Sequence, residues 1–325
     1  MKKILTVILS VITVGVVVCA PFLIKKKQNA NTFDSLVITV WHVDAFDGGK
    51  GSRCSFLRSV SSEFSKANKG VYFLVSNYSI EGLKYALESG KHPDIISFGG
   101  CDLGVENYAR EINFSVRDGG CVGKKRFAVA YLKGGYFKII KGAGSGELII
   151  PNGEYFSAET ACLFSNAERK KVSLLEKGNA YNRFLVSSNA TLIGTQRDVT
   201  RLLNSNVEFT LEPIFRYNDL YQYFSVTTGD ISKQAVCNSF INYVLSPTVQ
   251  RKIETLNMFS VTGEKLYSDG FLSLYEKFDN EYTFIPFSTK ENFETLKSKA
   301  FLGVNSGEDY DIIVNSCKNL INVVK

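Results

Sequence analysis

The stretch LVITVW at residues 36–41 decides the fold, because a short, apolar, β-branched run of this kind is typical of a buried strand. A helix is predicted to start near Ser52, and residues 71–76 predict a second strand. Ser79 can cap a second helix, and PDIISFGG at residues 93–100 predicts a third strand that runs into a glycine turn. Strands that alternate with helices in this way predict a parallel, open α/β sheet.

The composition of the chain is that of an ordinary globular protein. It has 325 residues, of which 45% are hydrophobic and 22% charged, and this excludes a disordered chain and a polytopic membrane protein. Five of the 38 Lys and Arg residues lie among the first 27 residues, which contain no acidic residue; beyond them 33 basic residues face 32 acidic ones. A basic surface for phosphates is therefore not expected, and we predict no nucleic-acid partner.

The N-terminus predicts a membrane anchor. Residues 4–24 carry no charge, and these 21 residues would span about 31 Å as a helix, which is the thickness of a bilayer core. We therefore expect residues 1–27 to form a single-pass anchor at the cell membrane, with the remaining domain extracellular. Cleavage after Ala20, which Pro21 should hinder, and lipid attachment at Cys19 are the alternatives.

The residues available for chemistry give no support to an enzyme. His42 and His92 are the only histidines, so a metalloprotease motif is impossible, and neither lies at zinc-ligand spacing. The glycine-rich stretch at residues 48–52 is not a P-loop, and the one at 142–146 fits neither a dinucleotide fingerprint nor a nucleophile elbow. The cysteines are singly spaced, which favours buried thiols over a disulfide framework. We predict a non-enzyme without cofactor or metal. The seven cysteines are Cys19, Cys54, Cys101, Cys121, Cys162, Cys237 and Cys317.

The ends of the predicted strands indicate where a ligand would bind. Open α/β sheets bind ligands in a crevice at the carboxyl ends of their strands. In this chain those ends are Trp41 with the loop that leads to Arg53, the residues 77–78, and Phe98 with Gly99. The polar, aromatic loop after the first strand is therefore the leading candidate site. A plain surface loop, with Trp41 as a core residue, is the alternative.

Four motifs, in order along the chain, carry a resemblance to a known family. They are ITVWH with GGKGSR (38–42 and 48–53), GKHPDIISFG (90–99), GTQRD (194–198), and LSP with Gln250 (245–247). Together they resemble the extracellular solute-binding proteins of ABC importers, of the large group that includes sugar and oligosaccharide binders. The resemblance covers nearly all of residues 36–325. The stretch between about 142 and 175 looks abbreviated, which leaves the depth of the second lobe and the ligand size open.

This resemblance implies a periplasmic-binding-protein-like fold with two α/β lobes, three hinge crossings and a cleft between the lobes. Residues 36–123 and 225–262 would form the first lobe, and 124–224 and 263–325 the second. The hinge crossings are expected near 121–127, 221–226 and 261–266.

The implied activity is capture of a carbohydrate-like solute in the cleft and its delivery to the transmembrane subunits of an ABC permease. We expect a monomer. A membrane-tethered sensory or scaffold domain of the same fold is one alternative, and a secreted carbohydrate-active enzyme is another.

The predicted ligand-binding residues combine aromatic faces with fixed polar groups, because sugars present C–H surfaces and hydroxyls. A structural salt bridge or a helix cap is the alternative for Arg197 together with Asp198, and a solvated first-turn position is the alternative for Arg53. The predicted set is Trp41, Asp44, Arg53, Phe98, Tyr136 and Arg197.

Overall fold

The structure is a computed structural model, and its described residues form two five-stranded sheets and a short two-stranded one. The residues it describes are 35–44, 46, 49–99, 103–151, 172–214, 218–268, 270–277 and 287. Within these ranges no helix has the length and apolar character needed to cross a bilayer. The predicted anchor at residues 1–27 lies outside the described residues, as does the predicted second lobe from 288 onward.

The strands are β1 (Leu36–Val43), β2 (Val71–Tyr78), β3 (Ile95–Gly99), β4 (Cys121–Val122), β5 (Lys125–Arg126), β6 (Val129–Lys133), β7 (Tyr136–Lys141), β8 (Glu147–Pro151), β9 (Val172–Leu175), β10 (Ala190–Thr195), β11 (Thr210–Ile214) and β12 (Tyr221–Val226). The α-helices are α1 (Arg53–Ala67), α2 (Ile80–Glu88), α3 (Lys177–Val186), α4 (Gln196–Leu203), α5 (Ile231–Val244), α6 (Pro247–Gln250) and α7 (Leu272–Lys277). Short 3₁₀ helices cover Val105–Asn107 and Arg251–Leu256.

The first sheet has the strand order β2-β1-β3-β12-β6. Strands β1, β2 and β3 are parallel, as the alternating pattern predicts. The sheet is nevertheless mixed rather than parallel, because β12 pairs antiparallel with both β3 and β6. The physical reason is that β12 enters this sheet from the second sheet rather than through a β–α–β connection from a neighbouring strand, so the repeat that makes β1, β2 and β3 parallel does not extend to it.

Serine caps fix the first two helices, as the sequence predicts. The side chain of Ser52 accepts a hydrogen bond from the backbone N–H of Ser55, and that of Ser79 accepts one from Gly82. Each cap follows the loop that leaves a parallel strand, so each helix starts at the carboxyl end of the first sheet. Helix dipoles therefore add positive potential to this edge.

Helices cover both faces of the first sheet. On one face, Phe64 of α1 and Phe240 of α5 meet in edge-to-face contact, with ring centroids 5.6 Å apart. On the other face, Leu83 of α2 packs with Phe98 and Tyr223. Burial on both faces explains why β3 is apolar along nearly its whole length.

The second sheet has the order β11-β7-β10-β8-β9 and its own apolar cluster around Phe137, Phe184 and Tyr275. In it, β10 pairs parallel with β8 and antiparallel with β7. Strand β10 leads directly into α4, and the carboxylate of Asp198 in the first turn of that helix accepts a hydrogen bond from the backbone N–H of Thr195.

The chain passes between the two sheets at identifiable points. It leaves the first sheet after β6 and enters the second at β7, with Gly134 and Gly135 as the only residues between them. It returns between β11 and β12. The division into lobes stays a prediction. The predicted boundary at 123/124 assigns β6 to the second lobe, whereas β6 pairs in the first sheet. The register with β12 holds it there.

Candidate functional site

The strand-end cluster, which we define as His42, Asp44, Phe46 and Arg53, occupies the carboxyl edge of the first sheet. Arg53, the first residue of α1, donates from Nε to Oδ1 of Asp44 at 2.5 Å and from Nη2 to the backbone carbonyl of Phe46. Its guanidinium carbon lies 4.3 Å from the centre of the Phe46 ring. The structure thus brings together two of the predicted residues, Asp44 and Arg53, in one ion pair.

The two partners of this ion pair differ in exposure. Arg53 is only 7% exposed, whereas 40% of the Asp44 side chain is exposed. A solvated first-turn position therefore does not describe Arg53 in this structure. Asp44 presents a carboxylate to the solvent while the buried guanidinium beneath it holds that carboxylate in place.

The carboxyl group of Asp44 is ionised over the whole physiological pH range. Burial by itself would raise its pKa, but the hydrogen bond from His42 and the charge of Arg53 outweigh burial and lower the pKa to about 2. A carboxylate only accepts hydrogen bonds, so Nε2 of His42, 3.0 Å from Oδ1, is the donor in that contact. Asp44 is therefore a permanent acceptor at the sheet edge.

A buried polar chain continues from the strand-end cluster into the sheet. Nδ1 of His42 lies 2.9 Å from Oγ of Ser97, which in turn lies 3.0 Å from the hydroxyl of Tyr131. Nε2 of Gln222 donates to the carbonyl of Val43 at 3.0 Å and to Oγ of Ser97 at 3.3 Å. Burial raises the pKa of Tyr131, so its hydroxyl stays a donor at neutral pH.

Sequence reasoning missed this buried polar chain, although a signal for it was present. His42, Ser97 and Gln222 are polar residues inside otherwise apolar strands, and all three are fully buried. A polar residue at such a position needs a partner on a neighbouring strand. His42 and Ser97 are register partners in the β1–β3 pair, so the partner is close at hand.

Two buried polar atoms of this region have no hydrogen-bond partner among the described residues: Nη1 of Arg53 and Oε1 of Gln222. One is a charged donor and the other an acceptor, which are the two functions that a hydroxyl group can satisfy. Unpaired buried groups are costly, and binding sites are a common place for them.

The predicted aromatic residues have different environments. Trp41 is half-buried and leans on Tyr78 of the adjacent strand, with ring centroids 4.9 Å apart at 38°. Phe98 is 1% exposed and packs against Tyr223 and Phe287, so it offers no open face in this structure. Trp41 is therefore the predicted aromatic of the first sheet that keeps some exposed surface.

Tyr136 and Arg197 belong to the second sheet and the helix after it, and the structure does not place either in the strand-end cluster. Tyr136 is fully buried, and its hydroxyl donates to Oδ1 of Asp219 at 2.6 Å. Arg197 is half-buried in the first turn of α4. Asp198 accepts from the backbone N–H of Thr195 at 3.0 Å, which confirms the helix-cap interpretation of that residue.

The segment Leu256–Met258 connects the strand-end loop with the second sheet. The backbone N–H of Lys50 donates to the carbonyl of Leu256 at 2.6 Å. Gly49 has a left-handed φ of +112°, and a Cβ there would lie 2.7 Å from Sδ of Met258. Nε2 of Gln196, at the start of α4, donates to the same sulfur at 3.0 Å.

Gln196 extends this connection to the point where the chain crosses between the sheets. Its Oε1 accepts from the backbone N–H of Gly135 at 2.9 Å, and its backbone carbonyl accepts from Nδ2 of Asn257 at 3.1 Å. These contacts join the start of α4 and the crossing between the sheets to the loop that carries Asp44. Sequence reasoning missed Gln196 although it lies inside the quoted GTQRD motif.

The arrangement is suited to non-covalent recognition of a polar solute. It offers a fixed carboxylate, a buried guanidinium and a partly exposed indole ring at one sheet edge. Within the described ranges, His, Cys, Asp and Glu side chains form no group of three that could hold a metal ion. The cysteines that the structure shows as free thiols are Cys54, Cys121 and Cys237.

The architecture is the two-sheet α/β fold of solved sugar-binding and maltodextrin-binding proteins, and the resemblance read from the sequence motifs is confirmed at the level of the fold. No protein-family model matches the chain, and no curated protein matches it. The likeness is therefore one of structure.

Particular solved structures match over most of their length. The sugar-binding protein MalE of Xanthomonas citri has a TM-score of 0.65 and 10% identity, over 89% of this chain and 97% of that one. The cyclic α-maltosyl-1,6-maltose binding protein of Arthrobacter globiformis has a TM-score of 0.62 and 11% identity, over 89% and 98%. The maltose-maltodextrin binding protein of Alicyclobacillus acidocaldarius has a TM-score of 0.60 and 10% identity, over 88% and 100%. All three are described as binding proteins, and at this identity they show the fold.

Proposed function

We propose that this protein is the extracellular solute-binding component of an ABC importer, which captures a carbohydrate-like solute and delivers it to a permease. The observation that carries the proposal is the two-sheet α/β fold shared with sugar-binding proteins over nearly the whole chain. The polar and aromatic strand-end cluster supports it, because it lies at the sheet edge where this kind of fold binds ligands.

In this proposal the solute binds at the carboxyl edge of the first sheet. Asp44 accepts hydrogen bonds from solute hydroxyls, and Trp41 offers a ring face to the C–H surface of a sugar. Arg53 orients Asp44 from below, and its Nη1, which has no partner among the described residues, is the donor that we assign to a solute oxygen. The reaction is binding and release, without covalent chemistry.

Closure of two lobes over the solute would convert binding into a signal for the permease. The link from Gly135 through Gln196 and Met258 to the strand-end loop supports this coupling, because it joins the crossing between the sheets to the loop that carries Asp44. A ligand that prefers the closed state by about 10⁴-fold, or about 5.5 kcal/mol, changes a 1:99 ratio of closed to open protein into 99:1.

The proposal includes retention at the cell membrane. The 21 uncharged residues at 4–24 support an anchor, with the domain outside the cell and acting as a monomer beside the permease. Retention matters in an envelope without an outer membrane, because an unanchored binding protein would diffuse away.

The test is a thermal-unfolding screen of the purified chain against a panel of mono- and oligosaccharides that includes maltose and maltotetraose. A ligand at 100 times its dissociation constant adds about 2.7 kcal/mol, which corresponds to a shift of several degrees. Trp41→Phe and Asp44→Asn should each reduce the shift, whereas Tyr85→Ala should not, because Tyr85 is a 74% exposed residue on the outside of α2.

Two further measurements separate transport from the alternatives. A sugar that raises the unfolding temperature and is also cleaved to shorter products would favour the carbohydrate-active enzyme. A sugar that raises the unfolding temperature, but is not imported when the chain is supplied to permease-containing vesicles, would favour the sensory domain. A panel without any shift, on folded protein free of carried-over ligand, would refute the carbohydrate proposal.

A further inference from the structure

A second concave site lies at the opposite edge of the first sheet. We call it the far-edge cavity; it has a volume of about 480 Å³ and is lined by residues 92–94, 107–110 and 227–229. These segments meet because 92–94 precede β3 and 227–229 follow β12, and the two strands are antiparallel. Strand β3 has five residues, so this edge is roughly 17 Å from the strand-end cluster.

The floor of the far-edge cavity is rigid and electrically neutral. Asp94 is buried, and its carboxylate accepts from the backbone N–H and the hydroxyl of Thr39 at 2.8 and 2.9 Å and from Nζ of Lys233 at 3.1 Å. The hydroxyl of Thr227 donates to the carbonyl of Pro93. The acidic group beneath the cavity is thus already neutralised and does not repel an anion.

One wall of the cavity is an aromatic surface. The rings of His92 and Tyr108 lie with their centroids 4.8 Å apart at 39°. Tyr108 is half-buried, whereas His92 is exposed, so the pair has an anchored ring and an accessible one. A flat or cyclic ligand body can stack on such a pair.

The cationic group of the cavity is Arg110. Its backbone N–H is bound to the carbonyl of Val226, which fixes the position of the residue. Across the described part of the chain, no carboxylate or carbonyl oxygen pairs with its guanidinium. That guanidinium lies against Gly229, where an added Cβ would be 3.5 Å from Nη2. Asp230, which follows Gly229 in the chain, is the N-cap of α5, where its carboxylate accepts from the backbone N–H groups of Ser232 and Lys233.

We propose that the far-edge cavity binds a small carboxylate whose ring stacks on Tyr108 and His92 while its acidic group pairs with Arg110. A planar guanidinium matches a carboxylate in a two-bond geometry, and a cavity of this volume is within the range of small-molecule sites. The ring can belong to an acidic sugar or to an aromatic acid, since both combine a ring with the carboxylate that Arg110 would pair with.

This site is independent of the one under the proposed function, because it shares no residue with the strand-end cluster. The experiment titrates the full chain calorimetrically with glucuronate and with 4-hydroxybenzoate. The neutral counterparts are glucose and 4-hydroxybenzyl alcohol. The variants are Arg110→Gln and, as a charge-matched control, Arg251→Gln, an exposed arginine that pairs with Glu264 elsewhere.

We expect at least one carboxylate to bind more tightly than its neutral counterpart, and Arg110→Gln to weaken that binding roughly 10- to 100-fold while Arg251→Gln leaves it unchanged. Whichever of the two acids binds more tightly shows whether the site prefers a sugar ring or an aromatic ring. Equal binding of acid and neutral compound, no binding in the millimolar range, or an Arg110→Gln variant that binds like wild type would each overturn the proposal.

A solute that binds at the strand-end cluster gives a different result. Its binding would be lost in Asp44→Asn and kept in Arg110→Gln, so that outcome also overturns the far-edge site while it supports the other one. Conversely, loss in Arg110→Gln alone establishes the far-edge site even if no sugar binds at the strand end.

Discussion

Replacement of Gly135 by alanine should destabilise the protein at the point where the chain crosses between its sheets. A Cβ at this position would lie 2.2 Å from Cε2 and 2.4 Å from Cζ of Tyr275. The Tyr275 ring is held on three sides: it stacks on Phe259 at 4.3 Å, its hydroxyl donates to the carbonyl of Gly134 at 3.1 Å, and it accepts from Nδ2 of Asn218 at 2.8 Å.

The size of the effect follows from these contacts. Overpacking of a filled core costs about 1–3 kcal/mol, and displacement of the ring would weaken two hydrogen bonds of about 1 kcal/mol each. We expect the free energy of unfolding to fall by about 3–4 kcal/mol and the Tm by roughly 10 °C. Gly178→Ala is the matched control, because no atom lies within 4 Å of a Cβ there and alanine favours α3.

The assay is urea unfolding of Gly135→Ala, Tyr275→Ala and the double variant. Because Tyr275→Ala removes the atoms that overlap, the two substitutions should be strongly non-additive, with Gly135→Ala costing much less in the Tyr275→Ala background. An unchanged unfolding midpoint for Gly135→Ala, or strict additivity in the double variant, would refute the reasoning.

Two predictions concern pH. The pKa of Asp44 is lowered to about 2 from an unfolded value near 3.9, so its stabilising contribution is present above pH 4 and is lost as the pH falls toward 2. Asp44→Asn should therefore lower the free energy of unfolding by about 1 kcal/mol at pH 7, a figure reduced because 40% of the side chain is exposed. The difference in urea midpoint between this variant and wild type should shrink at pH 3. Burial lowers the pKa of Lys133 to about 7, with Glu276 opposing this and Arg117 adding to it, against about 10.4 in the unfolded chain. Between these two pH values the unfolded chain binds one more proton than the folded chain, so the free energy of unfolding should rise from pH 7 to 10 by a few kcal/mol in wild type. The same rise is expected in Lys69→Met, a control at an exposed lysine, and a much smaller one in Lys133→Met. Equal rises in all three proteins would contradict the lowered pKa of Lys133.

The sequence was sufficient for the first two β/α units and for the third strand because their signals are local. The β-branched run at 36–41 and the caps at Ser52 and Ser79 each act within a few residues, and the structure contains each element near its predicted bounds. Pro247 is another local signal, because it lies at the first position of α6, where a missing N–H costs no hydrogen bond; the segment after Gln250 continues as a 3₁₀ helix.

The remainder of the first sheet could not be predicted because it depends on long-range partners. Neither the insertion of β12 next to β3 nor the pairing of β6 beyond it has a local signature. For the same reason Phe98, at a predicted strand end, and Tyr136, just after Gly134 and Gly135, are buried in the structure, where they contact residues distant in sequence, Phe287 and Asp219. Asp44 and Arg53 are close in sequence, and their proximity was accessible to local reasoning.

The late arrival of β12 has a consequence for biosynthesis. When the ribosome has released the first 135 residues, β1, β2, β3 and β6 all exist, yet β3 and β6 are not neighbours and need β12 between them. Gln222, which closes the buried polar chain onto the carbonyl of Val43, is synthesised 179 residues after Val43. The nascent chain must therefore keep an unfinished sheet edge protected while the whole second sheet is made, so partial products should be prone to aggregation and dependent on chaperones until about residue 226 has emerged.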